Sequence, residues 1–74
     1  MKSNKLAIET LFNAINDKVE KNWEDGTFVG HDIAVLIKLA IQSGLMDENQ
    51  GVQLFHEADA GYKLTWSFLR DIGL

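Results

Sequence analysis

The chain contains no cysteine, so neither a disulfide nor a thiolate metal site can contribute to its stability. It has two histidines, His31 and His56, and a metal site would need both plus carboxylates from separate segments. No lysine or arginine occurs between residues 39 and 62, a stretch that carries Asp47, Glu48, Glu57 and Asp59. Duplex nucleic acid is held by cations that neutralise phosphates, so this stretch would repel a phosphate backbone. No apolar run approaches the ~20 residues needed to span a bilayer. None follows the opening Met1-Lys2-Ser3-Asn4 either, so no secretory signal is read and a cytoplasmic location is expected. The glycines are scattered near the expected helix boundaries instead of gathering into a phosphate-cradling loop.

What is present describes one small globular domain. The 74 residues are 46% hydrophobic with a net charge of −4, which excludes disorder on composition. A chain of this size buries only ~60% of its unfolded surface and lies near the lower limit of unaided folding. Its most apolar stretch is Ile33-Ala34-Val35-Leu36-Ile37-Lys38-Leu39-Ala40-Ile41, interrupted only by Lys38. At helical spacing every face of it is hydrophobic, so it reads as a central helix surrounded by other elements. Lys38 then lays its methylenes along the apolar surface and carries its ammonium to water.

Four helices are expected, over residues 5–23, 32–43, 47–59 and 64–72. In the first, Ile8, Leu11, Phe12, Ile15, Val19 and Trp23 form one stripe, with Glu9, Asn13, Asn16, Asp17, Glu20 and Lys21 opposite. Ser3 or Asn4 suits its N-cap. Glu24-Asp25-Gly26-Thr27-Phe28-Val29-Gly30 is an ordered connection, with Gly26 closing the first helix and Phe28 and Val29 plugged onto the core. Asp32 suits the start of the central helix, and Gly44 its end, with Leu45 folding back. Asp47 and Gln50 have the spacing of a capping box, so the third helix follows as an antiparallel hairpin partner.

The third segment also admits an extended reading, in which residues 52–66 form a short β-hairpin turning at Asp59-Ala60-Gly61. Gly61-Tyr62-Lys63-Leu64-Thr65 then resembles the Gly-x-x-Leu-Thr strand in the wing of a winged helix-turn-helix. That resemblance implies a nucleic-acid-binding regulator, and it covers only those five residues. Contact with DNA would rest on Lys2, Lys5, Lys18 and Lys21. The capping box and the short preceding loop favour helix.

The last helix carries apolar residues at Leu64, Thr65 (through its methyl), Trp66, Phe68, Leu69 and Ile72, an arc of about 200° against the ~100° or somewhat more of a surface helix. Tyr62, Trp66 and Arg70 follow at four-residue steps and are residue types enriched at interface hot spots. Two readings stand: the arc wraps around the core, or Tyr62, Trp66, Leu69 and Arg70 anchor a protein partner. Asp47, Glu48, Glu57 and Asp59 would then steer association or simply keep the domain soluble.

No catalytic constellation emerges. His56-Glu57-Ala58-Asp59-Ala60 begins like a zinc-protease helix, but Ala60 stands where the second histidine is required. With Gly51 at the turn of a calcium loop, Met46 falls on the first acidic ligand position. His31 and Asp32 are sequence neighbours pointing to different helix faces, and no serine is placed to use them. The expectation is a compact all-α bundle of three or four helices around a central hydrophobic helix. No catalytic, cofactor or metal residue is expected. The expected role is a non-enzymatic protein-binding module or regulator whose partner is another protein or a second copy.

Overall fold

A computed structural model describes residues 5–74, so the caps proposed at Ser3 and Asn4 lie outside the described residues. The architecture is all-α, with helices α1 (Lys5–Asp25), α2 (Gly30–Gln42), α3 (Glu48–Asp59) and α4 (Trp66–Asp71). No strand occurs among the described residues: positions 52–59 are helical, and the wing-like hairpin is not formed. The reason is visible at Asp47, whose carboxylate accepts from the Gln50 N–H while the Gln50 side chain accepts from the Asp47 N–H. That reciprocal cap satisfies donors a new helix would otherwise leave unpaired.

α2 packs against both α1 and α3. The core joins Ile8, Ile15 and Val19 of α1, Ile33 and Ile37 of α2, and Leu54 of α3 to Leu64 and Leu69. Two expectations at the start of α2 require correction. The helix begins two residues before Asp32, with Val29 at the cap position and no side-chain cap bond. Asp32 instead pairs with Lys18 at 3.6 Å, an exposed pair of little energetic consequence. Of the expected plug, Val29 is buried but Phe28 is exposed. The connection is held by Thr27, whose backbone N–H and hydroxyl both donate to the Asp25 carboxylate. The hydroxyl bond, more than the backbone bond, holds the Asp25 carboxyl below its ordinary value of 3.8. Stabilisation from this turn is therefore present at neutral pH and is lost as pH falls through that lowered value.

The connection from α3 to α4 lies along α1. Asn16 donates its side-chain N–H to the Leu64 carbonyl at 3.1 Å and accepts from the Leu64 N–H at 2.7 Å. Two turns farther along α1, the Trp23 indole N–H donates to the Gly61 carbonyl at 2.7 Å, and the Lys63 ammonium lies 5.5 Å from the Trp23 ring. Gly61 itself adopts a φ of +94°, the left-handed conformation that ends α3 without a Cβ penalty. Trp23 is thus a half-exposed strut over the connection and not part of the buried stripe.

Candidate functional site

α4 is shorter than its apolar pattern suggested. Thr65 caps it by accepting from the Phe68 N–H, which leaves Leu64 and Tyr62 outside the helix. The apolar arc turns inward. Leu64 and Leu69 are buried, while Trp66, Phe68 and Ile72 pack half-buried against the core. Trp66 stacks on Phe12 with ring centroids 5.2 Å apart, and the Lys5 ammonium stands 5.9 Å from its ring. Tyr62 projects from the connection and Arg70 from the helix surface, both exposed. The four residues therefore do not make one free anchor: Leu69 is a core residue, and Trp66 is covered on one face.

The acidic residues are divided as well. Asp47 and Glu48 stand at the start of α3, and Glu57 and Asp59 in its last turn, roughly 15 Å away along the axis. Asp47 and Glu48 face the positive end of the helix dipole, and Asp47 is engaged in the cap. Asp59 lies against the first turn of α2, where a Cβ built on Gly30 would come within 3.2 Å of its Oδ1. They are two pairs with separate local roles.

Large apolar side chains are exposed on several elements, Leu6, Phe28 and Val52 among them, and two more lie side by side on α2. Val35 and Leu39, one turn apart, are 41% and 58% exposed, so the central helix is not covered on every side as its sequence predicted. They form a ridge with an apolar groove on each side. Between α2 and α3 the groove has Ile37, Ile41 and Gly51 on its floor and Ala34, Val52 and Phe55 on its walls, with Lys38, Glu48 and His56 at its margin. Between α1 and α2 the second groove is lined by Ala7, Leu11, Ala14, Leu36 and Leu39.

The floor of the first groove depends on Gly51. A Cβ built there would lie 2.7 Å from Ile41 Cδ1 and 2.9 Å from Ile37 Cγ2, so the absence of a side chain sets how closely α3 approaches α2. The volume of about 360 Å³ is comparable to that of ligand pockets, but the groove is open along its length and almost without polar atoms. An elongated apolar segment fits that shape better than a small polar substrate.

Two features were not apparent in the sequence. Asn16 sits on the face read as solvent-exposed, and only the position of Leu64 reveals its function. The exposed ridge was hidden inside a run whose hydrophobicity implied complete burial. Among the described residues, no group of three or more metal-ligating side chains comes together, and no helix is long and apolar enough to cross a membrane. Comparison with protein-family models, curated proteins and solved structures gives no match.

Proposed function

We propose that the protein is a small cytoplasmic, non-enzymatic protein-binding module or regulator, and that its binding surface is the outward face of α2 with the two grooves beside it. The observation that supports this reading is the exposure of Val35 and Leu39, branched aliphatic residues one turn apart on α2, with an apolar groove on either side. Contiguous exposed apolar surface with a polar margin is characteristic of sites where proteins meet. Tyr62 and Arg70 lie on other parts of the surface and are not part of this site.

The test places a photo-crosslinking amino acid at position 39 in cells, with the exposed Glu9 position as control. Discrete protein adducts from position 39, absent from position 9, are the expected result. A chain that forms no adduct from position 39 would show that the ridge meets only solvent.

A further inference from the structure

We infer that the occupant of the α2 surface is a second copy of this chain, packed about a two-fold axis with each ridge seated in the other's groove. The inference rests on the protein-binding reading above and assigns its partner. Three observations support it.

The first is shape. A two-fold interface brings the same patch from both copies together, so the patch must be complementary to itself. The Val35–Leu39 ridge runs along α2 beside the groove between α2 and α3. When the copies are inverted with respect to each other, the ridge of each lies over the groove of the other, the ordinary ridge-into-groove arrangement of packed helices. Val52, 50% exposed on the far wall, then comes to face the partner's surface.

The second is charge. Lys38 and Glu48 border the same groove and are of opposite sign. The ion pairs among the described residues are Lys18 with Asp32 and Lys63 with Glu20, so neither Lys38 nor Glu48 forms an ion pair with another described residue. A partner uniformly basic or uniformly acidic would oppose one of them. A second copy in inverted orientation presents a Glu48 to each Lys38, and both charges are matched.

The third is size. A domain of this length without disulfide or metal commonly gains the burial it lacks by oligomerising. Val35 and Leu39 lie exposed on its most hydrophobic helix, and Val52 lies exposed across the groove from them.

The test is light scattering behind a sizing column on the purified chain across a wide concentration range, with circular dichroism to confirm that each variant is folded. The native chain is expected to dimerise, and Leu39→Asp to be a folded monomer. Lys38→Glu alone and Glu48→Lys alone should each weaken the dimer about tenfold or more, because each places like charges together twice. Mixing the two single variants should restore association, since the mixed pair again sets opposite charges opposite one another.

A native chain that stays monomeric at all concentrations would overturn the inference, as would a Leu39→Asp chain that still dimerises. Single variants that weaken the dimer without rescue on mixing would overturn the pairing of Lys38 with the partner's Glu48. The protein-binding reading fails separately, when position 39 yields no adduct in cells; adducts to other proteins from a monomeric chain would retain it and exclude the second copy.

Discussion

Replacing Asn16 by alanine is expected to destabilise the fold by about 2 kcal/mol, although the residue is polar and only half-buried. Its amide satisfies both backbone groups of Leu64, whose side chain is 3% exposed in the core. Removing the amide leaves an N–H and a carbonyl unpaired beside that core, and each such group costs about 1–3 kcal/mol when water cannot reach it. Water reaches this partly buried site to some extent, which moderates the sum. Urea denaturation measures the loss. Asn16→Leu separates hydrogen bonding from volume, because it refills the space and still leaves both groups of Leu64 unpaired. It should be about as unstable as the alanine variant. A leucine variant as stable as the native chain would mean that Asn16 acts by packing. For a domain of this size, whose total stability is on the order of 4–11 kcal/mol, the expected loss is substantial.

Gly51→Val is expected to destabilise by about 1–3 kcal/mol or more, against the ordinary expectation that glycine inside a helix is the weaker choice. The positions that a side chain would fill already hold Ile37 and Ile41. Ile37 is 4% exposed and its Cγ2 is fixed by the restricted χ1 of a β-branched residue, so it cannot withdraw. Ile41 is half-buried, and Cδ1 is the mobile end of its side chain, so it can yield. Gly51→Ala should also be destabilising but less so, because its Cβ alone meets Ile37 Cγ2 at 2.9 Å and the helix-propensity gain of about 1 kcal/mol offsets only part of that crowding. Valine demands movement of the helices themselves. Combining Gly51→Ala with Ile41→Val should recover part of the loss, the part due to Ile41 Cδ1, and thermal melts of the single and double variants provide the comparison. A valine variant as stable as the native chain would require α2 and α3 to lie farther apart than the structure places them.

The bundle was legible because its determinants are local. The Asp47 and Gln50 capping pair lies within one turn, and the stripe from Ile8 to Val19 repeats at helical spacing whatever surrounds it. Residues whose role depends on distant chain were misread. Asn16 looks polar and exposed until Leu64 arrives 48 residues later, and Trp23 extends an apolar stripe yet serves as a donor to Gly61. Composition misled on α2 for another reason. Periodicity distinguishes a buried face from a polar one only when the outer face is polar, and with Val35 and Leu39 outward the pattern carried no such contrast. On α4 the pattern is apolar as read, but a helix beginning at Leu64 starts before the Thr65 cap, which the structure places at its N-terminus. The candidate surface therefore moved from the last helix to the central one.

The links from α1 to the connection before α4 also bear on the order of events in time. Asn16 reaches Leu64 and Trp23 reaches Gly61, contacts that close 48 and 38 residues of chain. Closing a loop costs more entropy as it lengthens, whereas α2 and α3 are joined by a short connection and pack along each other. The helical hairpin is then expected to form early, with the two distant hydrogen-bonded links made after the rate-limiting barrier. Interactions made after that barrier slow escape from the folded state and leave the rate of reaching it almost unchanged. Asn16→Ala is therefore expected to raise the unfolding rate and leave the folding rate almost unchanged, so that the polar tether sets how long each folded molecule lasts and the hairpin of α2 and α3 how quickly one appears.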